Sequence, residues 1–272
     1  MRPLRRCSIL PAMTHWMRFE YNGRSGFGAL EGEQVHVHRG DLFANPEPTG
    51  ELLPLADVRW LPPCLPSKFL GIAYNSRAVL AKQGTTAPAS PFYFIKAASS
   101  VLAPGAEFRA PRSYTGRIVF EGELGVVIGR RARDLAPEQA ASVIFGYTCV
   151  NDVTALDLIT QEPAQWTRAK SFDGFGPFGP VIATGIDPAA LSVRALVNGR
   201  ERQNYPVSDL VFSPFELVSQ LSRDLTLEPG DVIACGTSLG VGALKPGTTV
   251  EIEIAGIGVL RNSLAGEAAA SP

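Results

Sequence analysis

The chain has 272 residues, 45% of them hydrophobic and 19% charged, with a formal net charge of -1. This composition suits an ordinary globular protein, one large domain or a domain with a small appendage. The near-neutral charge, without a long basic run, argues against nucleic acid as a partner, and no stretch approaches the ~18 consecutive apolar residues of a membrane span.

Residues 1–16 read as an N-terminal extension. Met1-Arg2-Pro3-Leu4-Arg5-Arg6 is basic, but no adequate apolar run succeeds it and Pro11 interrupts the short one present, so a secretory signal is not expected. Met17 opens a strand-like pattern, and residues 17–64 are expected to form a small N-terminal β domain. Its hairpins are announced by alternating runs such as Gln34-Val35-His36-Val37-His38, separated by Gly23, Gly26 and Gly32. A loop is expected from Asn45 to Pro54. Pro62-Pro63 and Pro66 place a boundary near residue 65, where a body of residues 65–264 begins. His15, His36 and His38 are the only histidines, so the body cannot build a Ser–His–Asp or Cys–His centre or a histidine-rich zinc site.

Within the body, strands are expected at 68–73, 91–96 and 108–111, with a short helix at 76–83 closed by Gly84. An apolar run from Leu124 to Ile128 comes next, then a helix at 136–143 and a strand at 146–150 that leads to Asp152. Residues 170–180 read as a loop rich in Gly, Pro and Phe. Later strands are expected at 192–197, 232–235, 250–254 and 258–260, and 215–221 has helical periodicity. Residues 265–272 read as a frayed tail. Strands dominate, helices are few, and there is no βαβ alternation: the class is mainly β (α+β), not a doubly wound sheet. The four cysteines, Cys7, Cys64, Cys149 and Cys235, lack metal-ligand spacing and read as buried thiols, which fits a cytoplasmic location.

The segment Phe120-Glu121-Gly122-Glu123-Leu124 carries the chemistry. In a strand, residues i and i+2 face the same side, so Glu121 and Glu123 would converge at the entry to an apolar core. Two anions that close must share a proton or a cation. Asp152, at the end of another apolar segment, could supply a third hard oxygen ligand for Mg²⁺, Mn²⁺ or Ca²⁺. From the spacing alone, a solvated glutamate pair on an edge strand is the reading that stands ahead, because Glu-x-Glu is a weak pattern.

A series of motifs then appears in fixed order. They are Pro91-x-x-Phe94-x-Lys96-x-x-Ser99-Ser100, the Glu121/Glu123 segment, Gly146-Tyr147-x-x-x-Asn151-Asp152, Arg168-Ala169-Lys170-Ser171-Phe172-Asp173 and Gly179-Pro180. Asn198-Gly199-x-x-x-Gln203, Pro229-Gly230-Asp231 and Gly236-Thr237-x-x-Gly240-Val241-Gly242 complete the series. Together they resemble the fumarylacetoacetate hydrolase family from about Lys68 to Leu264. The resemblance implies a strand-rich β-roll (a mixed β-sandwich) behind the small N-terminal β domain, usually assembled as a homodimer. It implies one divalent ion, Mg²⁺, Mn²⁺ or Ca²⁺, held by Glu121, Glu123 and Asp152. A 2-oxo acid or 1,3-dicarbonyl carboxylate would chelate that ion, and its developing charge would lie beside the cation. By the same resemblance Lys170 is the catalytic lysine, Gly236 and Thr237 adjoin the substrate carboxylate, and Tyr74 stands at the entrance.

The chain also departs from the pattern. Hydrolytic members often carry a His-x-x-Glu pair after that tyrosine, which activates water; here Arg77 and Leu80 take those places, and neither is a base near neutral pH. Arg77 could instead bind a substrate carboxylate. Leu156 and Ile159 replace a usual Arg and Gln, which predicts a greasier pocket. Three functions therefore stand open: C–C bond hydrolysis of the fumarylacetoacetate or acylpyruvate type; decarboxylation, isomerisation or hydration of a 2-oxo acid; or metal-stabilised binding without catalysis.

Overall fold

The computed structural model describes residues 13–161 and 165–266. Cys7, most of the expected extension and nearly all of the expected tail lie outside the described residues.

The protein is mainly β, as expected. The principal sheet has twelve strands. Four N-terminal strands, Thr14–Tyr21, Arg24–Glu31, Gln34–Arg39 and Glu47–Pro54, form an antiparallel meander. The first begins at Thr14 rather than Met17. It pairs through Thr14, His15 and Trp16 with Gly176–Thr184, so the N-terminal strands extend the sheet of the body. Glu47–Pro54 is a strand where a loop was expected. Its prolines sit on the outer edge of the sheet, where a missing N–H costs no ladder bond.

From Gly176–Thr184 the sheet continues through Ile144–Asn151, Gly122–Ile128, Val232–Ala234, Phe69–Ala73 and Phe92–Lys96. All of these pairs are antiparallel except Val232–Ala234 with Phe69–Ala73. Gly176–Thr184 occupies part of the expected 170–180 loop; glycine and proline content hid a central strand whose Phe178, Val181 and Ile182 are buried. The expected helix at 136–143 is a 3₁₀ segment, Pro137–Ser142. Strand 108–111 is reduced to Glu107–Phe108. A second sheet of five strands, Arg200–Pro206, Ser192–Val197, Thr249–Ile254, Gly258–Leu264 and Glu107–Phe108, packs on the first. Ala195 and Ile252 meet the backbone of Gly122 there, closely enough that a Cβ on Gly122 would collide with Ile252.

The expected helix at 215–221 runs Pro214–Asp224. Ser213 and Glu216 cap it reciprocally, Pro214 opens it, and Leu217, Val218 and Leu221 are buried. Cys64, Cys149 and Cys235 are free buried thiols. Burial raises all three, Cys64 to about 12. Among the described residues no helix is long and apolar enough to cross a membrane.

Candidate metal centre

Gly122–Ile128 is an interior strand, buried along its whole length between Ile144–Asn151 and Val232–Ala234, so Glu121 and Glu123 are not a solvated edge pair. Its start is clamped to the end of the neighbouring strand. Gly122 lies opposite Asn151 and Glu123 opposite Val150. Asp152 N–H donates to Glu121 O at 2.9 Å, and Glu121 N–H donates to Asn151 Oδ1 at 3.1 Å. This pairing brings the three carboxylates together: one oxygen from each of Glu121, Glu123 and Asp152 lies within 4.8 Å of the others. Ligand oxygens sit about 2.0–2.6 Å from Mg²⁺ or Ca²⁺, so two ligands of one ion lie at most about 5 Å apart. Both the spread and the all-oxygen donor set fit a hard divalent ion; a soft metal would need thiolate or imidazole.

Two buried lysines face these acids. Lys170, the last residue of the short helix Trp166–Lys170, donates from Nζ to Glu121 Oε2 at 2.9 Å and to Asp152 Oδ2 at 2.5 Å. Lys96, closing strand Phe92–Lys96, donates from Nζ to Asp152 Oδ1 at 2.6 Å and to the Lys170 carbonyl at 2.5 Å. It therefore fixes both the aspartate and the helix end that carries Lys170. Glu121 Oε1 accepts from Thr154 Oγ1 at 2.9 Å, and Glu123 Oε2 accepts from Gly236 N–H at 2.7 Å. Three carboxylates against two ammonium groups leave one negative charge in excess if all are ionised.

The electrostatics divide the acids. Burial, then the charges of Asp152 and Glu121, push the Glu123 carboxyl well above its ordinary range. Burial also raises Glu121, with Lys170 opposing it. For Asp152, burial pushes upward, but Lys170 and Lys96 together outweigh it and hold the group low. Burial pulls Lys170 down, yet Asp152, Glu121 and Glu123 more than compensate and hold it above its ordinary value. Lys96 is pulled down by burial more than Asp152 restores it.

Glu121 and Lys170 form the floor of a cleft of about 550 Å³, with Asp152 and Glu123 buried beneath them. Tyr74, Phe94, Leu156, Ile159, Trp166 and the turn Thr237–Val241 line its walls. Tyr74 stands at the mouth, 47% exposed, with a positive φ of 58° that a side chain rarely adopts. Asn75 beneath it holds the bend: its Nδ2 donates to Cys235 O at 2.7 Å and to Phe212 O at 3.1 Å.

Two expected substrate contacts change. Arg77 does not reach the cleft. In helix Arg77–Gln83, Val79, Lys82 and Gln83 face the cleft, and residues two apart on a helix point about 200° away from each other. Arg77 is thereby turned outward, donating to Val211 O at 3.2 Å. Gly236 is buried, and its N–H is committed to Glu123; at φ 100° a Cβ would strike Asn75. Thr237 does edge the cleft, its hydroxyl donating to Gly122 O at 3.0 Å and accepting from Gln203 Nε2 at 2.8 Å.

Lys96, Gln203, Trp166 and Asp209 were given no role by the sequence. Asp209 accepts from Ser76 Oγ at 2.6 Å and Ser238 Oγ at 3.0 Å, joining the N-terminus of helix Arg77–Gln83 to the Gly-rich turn. A lone lysine closing an otherwise apolar strand, inside the motif Pro91-x-x-Phe94-x-Lys96, was the available signal for Lys96.

Residues 68–265 match the family model Fumarylacetoacetate (FAA) hydrolase C-terminal, and residues 14–63 match Rv2993c-like, N-terminal. Protein Rv2993c of Mycobacterium tuberculosis is 42% identical over 81% of this chain and 83% of its own length. The oxaloacetate tautomerase YisK of Bacillus subtilis is 37% identical over 72% of this chain and 68% of its own. The crystal structure of 2-hydroxyhepta-2,4-diene-1,7-dioate isomerase from Mycobacterium marinum superposes with a TM-score of 0.86. It is 36% identical and covers 94% of this chain and 100% of its own.

Proposed function

The chain belongs to the fumarylacetoacetate hydrolase family, and from that premise we propose that it is a divalent-metal-dependent isomerase or tautomerase of a 2-oxo acid. Glu121, Glu123 and Asp152 would hold the ion, Mg²⁺, Mn²⁺ or Ca²⁺. When bound, it would act as a Lewis acid on the 2-oxo group.

The observation that carries the reading is the placement of Lys170. Its ammonium lies on the floor of the cleft against Glu121 and Asp152, and those acids keep it protonated. It can donate to the substrate oxygen on which charge gathers as the neighbouring carbon passes its proton to solvent water entering the cleft; Lys170 then protonates that oxygen and recovers a proton from the hydronium, so that ketone becomes enol with no net change in protons. Lys96 positions this ammonium through the Lys170 carbonyl. Thr237 edges the substrate carboxylate, and Tyr74, Phe94 and Trp166 wall the cleft around the reacting atoms. Gly236 serves the centre by orienting Glu123 rather than by touching substrate.

C–C hydrolysis, named first only as the family's commonest activity, needs an activated water. At the two positions that would activate it stand Arg77, turned to Val211 O, and Leu80, buried and apolar. A tautomerase and an isomerase stand among the relatives beside a fumarylacetoacetate hydrolase, so the choice rests on Arg77 and Leu80 and not on the names. The test monitors enol absorbance of oxaloacetate and phenylpyruvate with Mg²⁺ and with a chelator. Tautomerisation should be metal-dependent and fall by about 100-fold or more in Lys170→Met. Pyruvate release from acylpyruvates without faster tautomerisation would assign hydrolysis instead, and no metal-dependent turnover would leave a binding protein.

A further inference from the structure

A chain of aromatic rings runs outward from Lys170. Its Nζ lies 4.9 Å from the Phe94 ring centroid, and Phe94 lies 5.5 Å from Trp166. Trp166 in turn lies 5.0 Å from Phe92 and 5.9 Å from Tyr74, and Tyr74 is 5.5 Å from Phe92. Gly71 makes room for this row, since a Cβ there would sit 2.3 Å from the Phe94 ring. Leu156, Ile159, Leu239 and Val241 contribute aliphatic surface to the same cleft. Among the described residues Tyr74, Leu239 and Val241 are three of the few large apolar side chains left exposed, and all three line this cleft. Exposed apolar surface concentrated at a cleft marks a ligand site.

We infer that the substrate's end distal to the 2-oxo acid group is an uncharged aryl or branched alkyl group, seated between the Phe94/Trp166/Tyr74 rings and the Leu239/Val241 wall. This inference rests on the proposed 2-oxo acid chemistry and adds to it the class of substrate tail.

The competing choice is a second carboxylate, as in the dioate and oxaloacetate for which two relatives are named. Among the described residues the cations lining the cleft are Lys170, committed to the floor acids, and Lys82. Lys82 is exposed. A solvated ion pair strengthens binding by about fivefold at most, whereas enclosing a ring between apolar walls is worth about tenfold or more. The walls therefore favour an apolar tail, and a dicarboxylate would leave its second charge against leucine, isoleucine and tryptophan at a desolvation cost.

Three unreactive ligands with one shared head separate the possibilities: oxalate, N-phenyloxamate with an aryl tail, and N-oxalylglycine with a carboxylate tail. Affinities are measured by calorimetry with Mg²⁺ and with a chelator. N-phenyloxamate should bind about tenfold or more tightly than N-oxalylglycine. In Trp166→Ala the N-phenyloxamate/oxalate ratio should fall toward one. Leu239→Arg should narrow or reverse the preference, which keeps a check if Trp166→Ala fails to fold. Oxalate binding with Mg²⁺ together with equal or tighter binding of N-oxalylglycine would overturn the apolar tail and leave the 2-oxo acid reading intact. Failure of oxalate itself to bind with Mg²⁺ would overturn both.

Discussion

At the floor of the cleft, five charged side chains, Glu121, Glu123, Asp152, Lys96 and Lys170, form one largely buried cluster. At its mouth, Tyr74, Phe92, Trp166 and Leu239 offer rings and aliphatic carbon to solvent. The floor hangs mostly on paired strands of the principal sheet, whose backbone is fixed by its ladder. The mouth hangs on the short helix Arg77–Gln83, the start of helix Trp166–Lys170, the bend at Tyr74 and the turn at Gly236–Gly242, held by a few side-chain bonds such as those of Asp209 and Asn75, while Lys96 and Asp152 tie the Lys170 end of that second helix to the floor. Charge that must not move sits on the rigid part; apolar surface that must admit and release a ligand sits on the part with fewer restraints. Chemistry and selectivity are thereby separable, and substitutions should act on one without the other.

The largest effect should come from Asp152→Ala. It leaves Lys96 buried without its counter-ion and should cost about 3–5 kcal/mol in denaturant unfolding, besides abolishing divalent binding. A loss no greater than that of a surface substitution would mean the floor is not a coupled unit.

The pH dependence of the metal-free protein should sharpen the picture of the floor. Burial and the neighbouring acids raise Glu123 on folding. A carboxyl raised in this way stabilises the native chain below its unfolded value, near 4.3, and that contribution is lost as pH climbs through the native value. In EDTA, Glu123→Gln should therefore gain on the wild type between pH 5 and pH 8, read from urea midpoints. A margin that shrinks with pH would contradict the assigned direction.

At the mouth, smaller effects are expected. Asp209→Ala removes the acceptor shared by Ser76 and Ser238 and should cost about 1–3 kcal/mol, with faster amide exchange confined to helix Arg77–Gln83 and the Gly-rich turn. Exchange that rises equally in the principal sheet would erase the distinction between the two regions. Smallest of all, Arg77→Ala should leave oxalate and N-phenyloxamate affinities within about twofold, since a solvated guanidinium outside the cleft contributes little; a tenfold loss would return Arg77 to the site.

The two regions differed in how far the sequence disclosed them. Glu121 and Glu123 before a long apolar run, and Asp152 after another, mark strand ends directly, because strand period and burial are local properties of sequence. Lys96 was not assigned, since a lysine at the end of strand Phe92–Lys96 reads the same whether it meets solvent or a buried aspartate 56 residues away. The mouth was harder. Trp166 and Leu239 lie in segments without periodicity, and Tyr74 and Phe92 meet only through tertiary packing. Arg77 stayed open between substrate contact and solvent because a motif alignment carries no helix phase, and the phase is what turns it away from Val79 and Lys82. The Gly176–Thr184 strand was missed for a related reason. Its glycines and prolines signal a loop locally, while the partners that make it a strand lie elsewhere in the chain.

The central claim is that the three floor acids hold one hard divalent ion. Crystals soaked in Mn²⁺ test it by anomalous diffraction. A single manganese peak within about 2.0–2.6 Å of oxygens from Glu121, Glu123 and Asp152 is the expected result. An empty floor, with the lysines still bridging those carboxylates at saturating Mn²⁺, would contradict it.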